Sequence, residues 1–101
     1  MSALKINNEN FESVISGERP VLIDFYADWC GPCKMMAPVI EELAEELPNA
    51  AVGKVNVDEN PELARKFKIY SIPTLVIIKN GAEVERAVGV KPKEALIEML
   101  K

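Results

Sequence analysis

The residues best suited to chemistry in this chain are two cysteines, Cys30 and Cys33, which stand three positions apart. A cysteine thiolate is the attacking group in thiol–disulfide exchange, so the pair indicates a redox site. A purely structural disulfide at this spacing would close a very small loop and restrict the unfolded chain little. A zinc site of the usual kind needs about four cysteine or histidine ligands, and the chain has two cysteines and no histidine. The redox interpretation is therefore favoured, and no metal is expected.

The placement of the cysteine pair supports this interpretation. An apolar, β-branched segment at 21–27 precedes the pair, and a helical pattern at 33–47 follows it. Pro32 suits the first turn of a helix and Gly31 permits a tight entry, so Cys30 is expected at the helix N-terminus. Unpaired backbone N–H groups and the positive end of the helix dipole favour a thiolate at that position.

Hydrophobic periodicity and turn residues predict nine elements along the chain. Strands are expected at 4–6, 21–27, 51–57, 74–79 and 83–88, and helices at 8–17, 33–47, 61–67 and 92–101. Asn8 is expected to cap the first helix and Gly17 to end it, and Pro38 should kink the second. Asn80 and Gly81 both tolerate positive φ and predict a two-residue hairpin turn.

The order of these elements, β-α-β-α-β-α-β-β-α, predicts the fold class. Its first half requires parallel crossovers, whereas its end is an antiparallel hairpin. The expected fold is therefore an α/β sandwich of three layers, a mixed five-stranded sheet with helices on both faces.

Length and composition set further limits. The 101 residues, 49% of them hydrophobic, predict one domain spanning residues 1–101. The formal charge of −4, from 16 acidic and 12 basic residues, argues against nucleic acid or an anionic membrane as the main partner. The first residues contain no apolar run of signal-peptide length, and no segment approaches the roughly 20 apolar residues of a membrane span. A cytoplasmic location is expected, where ordinary thiols stay reduced.

Four segments together resemble the thioredoxin family, at 25–34, 56–61, 71–75 and 79–81. The resemblance runs in order along essentially the whole chain, and it implies a thioredoxin-like fold and the activity of a general protein-disulfide reductase. Cys30 would attack a substrate disulfide as the thiolate, and Cys33, more buried, would resolve the mixed disulfide. Gly31 and Pro32 would tune the redox pair.

The same resemblance implies the partners of the chain. They would be disulfide-containing protein substrates and a thioredoxin reductase, typically a flavoprotein that draws on NADPH. The chain itself has no dinucleotide-binding fingerprint and would act as a monomer without a bound cofactor. Tyr26 stands where many members of the family have tryptophan, and Tyr70 stands at a position that varies within the family. Both differences bear on substrate preference.

Asp24 and Lys54 are charged residues inside apolar strand patterns. Strand alternation places Asp24 on the same face as Leu22 and Tyr26, where burial would raise its pKa and allow proton exchange with Cys33. The alternative for Asp24 is a carboxylate that faces solvent or is satisfied by nearby backbone. Lys54 alone would be a solvated edge lysine, but the resemblance places it beside the buried Asp24, whose charge it would modulate.

A docking surface for substrates is also implied by the resemblance. It would contain Trp29, Ile72, Pro73 and Gly89 around the redox pair, with the Pro73 peptide bond in the cis form. The backbone of Ile72 would then be free to pair with an extended substrate segment. From the residues alone, Trp29 could belong to the core and Gly89 to a turn before the last helix.

Two other functions remain open at this point. An oxidant or isomerase on the same fold is one, although relatives of that kind usually carry a histidine between the cysteines. A binding subunit that uses the fold without redox chemistry is the other, and the intact cysteine pair argues against it as the sole role.

Overall fold

The structure is a computed structural model that describes residues 3–101. Its elements in chain order are β1 (Leu4–Lys5), α1 (Phe11–Ile15), β2 (Val21–Tyr26), α2 (Gly31–Glu46), β3 (Ala51–Asn56), α3 (Pro61–Lys66), β4 (Thr74–Lys79), β5 (Ala82–Val88) and α4 (Lys93–Leu100). This is the order that the sequence predicts. None of the helices in residues 3–101 has the length and apolar character needed to cross a membrane.

The five strands form one mixed sheet in the order β1-β3-β2-β4-β5. β3 is parallel to both β1 and β2, while β4 is antiparallel to both β2 and β5. β2 is therefore the central strand, and Asp24 in its middle has Lys54 of β3 on one side and Leu75 of β4 on the other. The predicted mixed sheet is confirmed.

Side chains that alternate along the strands fill two separate cores, one on each face of the sheet. We call the first the α1/α3 core; it consists of Ile6, Phe11, Ile15, Val21, Ile23, Phe25, Ala51, Val55, Leu63, Phe67, Val76 and Ile78. We call the second the α2/α4 core; it consists of Leu22, Met36, Ile40, Leu43, Val52, Leu75, Ile77, Leu96 and Leu100. Helices thus cover both faces, and the predicted three-layer sandwich is confirmed.

The hairpin between β4 and β5 has the predicted turn. Asn80 and Gly81 have φ values of 55° and 81°, and Lys79 pairs with Ala82 across them. Positive φ at both central residues matches the right-handed twist of the two strands.

The predicted cap of the first helix is wrong. α1 begins three residues after Asn8, whose side chain donates instead to the Glu62 carboxylate. The side-chain oxygen of Asn7 accepts the backbone N–H groups of Glu9 and Asn10, each at 2.9 Å. An asparagine that bonds the backbone two or three residues ahead forms a turn that competes with the helix, so the helix starts later.

Other boundaries differ by a few residues. α1 ends at Ile15 rather than Gly17. β1 ends at Lys5 rather than Ile6, although the Ile6 N–H still bonds the Lys54 carbonyl at 2.9 Å. α2 begins two residues earlier than predicted because Gly31 already belongs to its first turn, and it continues through the internal proline. The remaining elements are shifted by one residue at one or both ends, apart from β4, which has the predicted limits.

Candidate active site

The two cysteines lie where β2 gives way to α2, and they form a disulfide. Cys30 is the N-cap residue of α2, with Pro32 in the first turn, so the predicted placement at the helix N-terminus is confirmed. The backbone N–H of Cys33 points at Cys30 Sγ from 3.2 Å. The Cα atoms of the two cysteines are 5.3 Å apart, within the usual range for a disulfide. When the disulfide is reduced, negative charge on Cys30 Sγ therefore meets a backbone donor and the positive end of the helix.

The expected difference in burial between the cysteines is absent from this disulfide form. Cys30 and Cys33 are each 4% exposed. Both pack with Ala27 in a small apolar cluster that Val57 and Ile72 help to cover. The disulfide holds both cysteines against the first turn of α2. Their exposed fractions therefore do not show which cysteine attacks the substrate.

Contacts distinguish the two sulfurs where exposure does not. Cys30 Sγ lies 3.8 Å from the carbonyl oxygen of Ile72, across the gap between α2 and the loop before β4. A disulfide sulfur carries no proton, so this is a contact here. A thiol at the same place can donate a hydrogen bond to that carbonyl. The sulfur nearest to the loop is therefore that of Cys30.

The loop opposite the cysteines contains the one cis peptide bond found among residues 3–101, between Ile72 and Pro73, as the resemblance implies. Pro73 is buried and its carbonyl oxygen accepts the N–H of Gly89 at 2.8 Å. Gly89 has φ of 94°, a backbone conformation that side-chain-bearing residues rarely adopt. This bond continues the β4–β5 ladder by one step and places Gly89 beside the loop.

Trp29 is not a core residue, because its side chain is 70% exposed. Its indole Nε1 donates to Asp58 Oδ2 at 2.8 Å, which fixes the ring next to the cysteines. Gly31 and Pro32 are exposed as well. Asp58 was not singled out from the sequence. The available signal was its position two residues past the end of β3, since the ends of the parallel neighbours β2 and β3 lie at the same edge of the sheet.

Asp24 is buried, at 2% exposure, so the solvent-facing alternative is excluded. Its Oδ1 atom has no hydrogen-bond partner within the part of the chain that the structure describes. Burial raises the pKa of Asp24 to about 7, and the nearby Lys54 charge lowers it by a smaller amount. A carboxyl group that is half protonated near neutral pH can both take and give a proton.

Lys54 lies next to Asp24 in the β2–β3 register, as expected. Its ammonium group, however, forms a salt bridge with Glu41 of α2, at 3.6 Å from Oε2, and lies 5.7 Å from the centre of the Tyr26 ring. The long lysine side chain carries its charge past the cross-strand neighbour toward the surface, where about a quarter of it is exposed. Lys54 therefore acts on Asp24 through its electric field, while its salt bridge is with Glu41. Nothing in the sequence pattern distinguished Glu41 from the other acidic residues of α2.

An opening of about 240 Å³ leads from the surface to Cys33. It is lined by Tyr26, Ala27, Asp28, Cys33, Lys34, Ala37 and Lys54. Two of these residues are neighbours of Asp24: Lys54 lies across from it on β3, and Tyr26 is two positions along β2. Within residues 3–101 there is no group of three or more His, Cys, Asp or Glu residues placed to hold a metal ion.

Comparisons with known proteins agree with this geometry. The family model described as Thioredoxin matches residues 2–101. A thioredoxin from Chlamydia pneumoniae is 50% identical over 95 residues, covering 94% of this chain and 92% of that protein. A bifunctional thioredoxin reductase/thioredoxin from Mycobacterium leprae is 53% identical over 91 residues, 89% of this chain and 20% of that protein. The solved structure of a mutant thioredoxin from Halobacterium salinarum superposes with a TM-score of 0.91 at 43% identity, covering 98% of this chain and 88% of that one.

The fold and the cysteine pair at the start of α2 define a thiol–disulfide oxidoreductase. With a family match over nearly its full length and relatives at about half identity, the chain belongs to the thioredoxin family.

Proposed function

We propose that the chain is a general protein-disulfide reductase. The observation that carries the proposal is the position of Cys30 Sγ, which receives the Cys33 N–H at the start of α2 and faces the Ile72 carbonyl across the gap. A sulfur so placed is stabilised as the thiolate and lies next to Ile72, where an extended substrate segment would bind.

Two exchange steps complete the reaction. The Cys30 thiolate attacks one sulfur of the substrate disulfide and forms a mixed disulfide, and the other substrate sulfur leaves and takes up a proton. Cys33 then loses its proton and attacks Cys30 Sγ, which releases the second substrate thiol. The substrate gains two electrons and two protons, and the pair Cys30–Cys33 becomes the disulfide.

The proton of Cys33 needs an acceptor in the second step. We assign this role to Asp24, which is buried and has a pKa of about 7. Its carboxylate form takes the proton, directly or through water in the opening beside Cys33. Lys54 modulates the charge of Asp24, and Gly31 and Pro32 tune the redox pair through the shape of the first helical turn.

Substrate binding is assigned to the surface around the cysteines. Trp29 offers an exposed ring held by Asp58, and Ile72, Pro73 and Gly89 form the opposite side of the gap. The backbone of Ile72 suits an added strand, which explains how substrates of unrelated sequence can be accepted.

Electrons are proposed to come from a thioredoxin reductase, an NADPH-dependent flavoprotein. The relative from Mycobacterium leprae, whose name joins reductase and thioredoxin in one protein, supports this pairing. The sulfurs themselves carry the electrons, so a bound cofactor is not required. A reductant of this kind works where thiols are kept reduced, which supports a cytoplasmic location, and the open docking surface suits a monomer.

Trapping the intermediate tests the proposal. The Cys33→Ser variant, reduced and mixed with a peptide disulfide, should accumulate a mixed disulfide at Cys30, detectable by mass spectrometry. The Cys30→Ser variant is the matched control and should accumulate at least about 100-fold less, because Cys33 lacks the N-terminal position. Alkylation of the reduced wild type near neutral pH, followed by peptide mapping, should label Cys30 first. Equal trapping by both variants would remove the assigned roles.

A further inference from the structure

The gap beside the cysteines continues along the surface toward the end of α3. One shallow groove is lined by Trp29, Val57, Ile69, Tyr70, Ser71 and Ile72. A second is lined by Ala64, Arg65, Lys68, Ile69 and Tyr70. The two grooves share Ile69 and Tyr70, so a continuous surface leads from the loop opposite Cys30 to the end of α3.

Tyr70 stands at the junction of the two grooves. Tyr70 is 88% exposed, more than any other exposed large hydrophobic residue among residues 3–101. A bare aromatic ring beside a reactive site is a suitable platform for an apolar or backbone segment of a partner. The segment that passes Ile72 would therefore also pass Tyr70.

Beyond Tyr70 the surface is basic. Arg65 and Lys68 have no salt bridge and no side-chain hydrogen bond among residues 3–101, unlike Lys66, which pairs with Glu12. The nearest acidic residue in sequence, Glu62, accepts a hydrogen bond from Asn8. Arg65 and Lys68 thus line the end of an apolar groove without an ion pair among residues 3–101, in a chain whose formal charge is −4.

We propose that Tyr70, Arg65 and Lys68 extend the docking surface and select substrates that carry acidic side chains on one side of the disulfide cysteine. The proposal rests on the reductase function and names a substrate class for it. A substrate segment paired at Ile72 advances about 3.3 Å per residue, so acidic residues a few positions from its cysteine reach the two cations. Trp29, which is held by Asp58, lines the part of the groove nearer the cysteines, so the acidic residues must lie past Tyr70 to meet the two cations.

Isomeric peptide disulfides test this selection. Three peptides of ten residues share one central cysteine and carry two glutamates before it, two glutamates after it, or alanines at both places. Each is presented as its disulfide homodimer to excess pre-reduced protein, and the second-order rate constant is measured at low salt. One glutamate peptide should react about 3- to 10-fold faster than the alanine peptide, as expected for two exposed charge pairs. The ratio should fall below about 2 in 0.5 M salt.

Matched variants locate the effect. Arg65→Gln combined with Lys68→Asn removes both cations, and asparagine tolerates the positive φ of 54° at position 68. This variant should lose the preference, with a glutamate-to-alanine rate ratio near 1. The control combines Arg19→Gln with Lys101→Gln, which changes net charge equally at exposed positions outside the groove, and it should keep the preference.

Several results would overturn the selection. They are equal rates for all three peptides, equal acceleration by both glutamate peptides, a preference that survives in the Arg65/Lys68 variant, or a loss of preference in the control. Reduction of the alanine peptide reports on the reductase function separately. If no peptide is reduced, the proposed function fails; if all are reduced at one rate, only the selection fails.

Discussion

The two faces of β2 carry different kinds of residue although they belong to one strand. Ile23 and Phe25 point into the α1/α3 core, where Phe67 packs its ring 5.4 Å from that of Phe25. Asp24, between them in sequence, lies on the other face with Leu22, in line with the α2/α4 core. One face is entirely apolar, whereas the other contains a buried carboxyl group without a hydrogen-bond partner on Oδ1 among residues 3–101.

The difference teaches how stability and chemistry are divided within this small fold. Burying a carboxyl group is unfavourable, and the cost grows when it ionises. The apolar face adds stability through area removed from water and through close packing. Because neighbouring strand residues face opposite ways, one strand can supply both functions without mixing them.

The largest effect is expected on the apolar face. Phe25→Ala should lower the free energy of unfolding by about 3–5 kcal/mol, because it removes buried contacts with Phe67 and leaves a cavity. Urea denaturation of the oxidised protein measures the change, and Phe25→Leu, which keeps most of the volume, should lose clearly less. If the folded Phe25→Ala protein also reduced peptide disulfides several-fold more slowly than wild type, the separation between the faces would be wrong.

Asp24→Asn should change stability in the opposite direction and in a pH-dependent way. The pKa of Asp24 is raised from an ordinary 3.8 to about 7 by burial, so the folded protein holds its proton more tightly than the unfolded chain does. Stability that depends on this proton is fully present below pH 3.8 and is lost as the pH rises to about 7. At about 1.4 kcal/mol per pKa unit, the loss above pH 7 is on the order of 4–5 kcal/mol.

The measurement is a series of urea denaturation curves between pH 4 and 8. Wild type should lose stability relative to Asp24→Asn across this range. The variant should be more stable by about 1–3 kcal/mol at pH 8, since part of the gain is offset by burial of an unpaired amide. Its second exchange step should slow, because the proton acceptor is missing. A pH-independent difference between the two proteins would contradict the raised pKa.

The smallest effect is expected on the Asp24 pKa when the salt bridge between Lys54 and Glu41 is removed. Glu41 holds the Lys54 ammonium group in a salt bridge, so Glu41→Gln should free Lys54 to approach Asp24 and lower the Asp24 pKa by less than about one unit. Carboxyl ¹³C chemical shifts followed against pH report the pKa directly. Lys54→Met alone should raise it.

A double-mutant cycle separates the effect that Glu41 has on Asp24 through Lys54 from direct repulsion between the Glu41 and Asp24 carboxylates. In the Lys54→Met background, Glu41→Gln should change the Asp24 pKa much less than in wild type. Glu42→Gln, which removes the neighbouring charge that pairs with Lys93, is the control and should have little effect. An equal change in both backgrounds would show that Glu41 acts on Asp24 without Lys54.

Local rules predicted much of this fold. The positions of Gly31 and Pro32 placed Cys30 at a helix start, and Asn80 with Gly81 placed the hairpin, because each depends on residues adjacent in sequence. The predicted cap of α1 is wrong because Asn7 accepts the local backbone N–H groups, while the Asn8 side chain donates to Glu62, which is distant in sequence.

Long-range pairings were beyond the reach of sequence patterns. The hydrogen bond from Trp29 to Asp58 joins residues 29 positions apart in sequence. The salt bridge between Lys54 and Glu41 links β3 to α2. Their partners are ordinary acidic residues with nothing distinctive in spacing. Equal burial of the cysteines also depends on the closed disulfide, which is a property of the redox state rather than of the sequence.

The separation of Cys30 and Ile72 along the chain has a consequence for biosynthesis. Forty-two positions divide these two residues, which face each other in the finished site. A ribosome that adds about 5–20 residues per second needs roughly 2 to 8 seconds to cover that distance. Throughout that interval both thiols exist without the loop that will face them, as ordinary cysteines of a nascent chain. The oxidoreductase site is completed only when β4 pairs with β2, and long-range strand pairing of this kind slows folding.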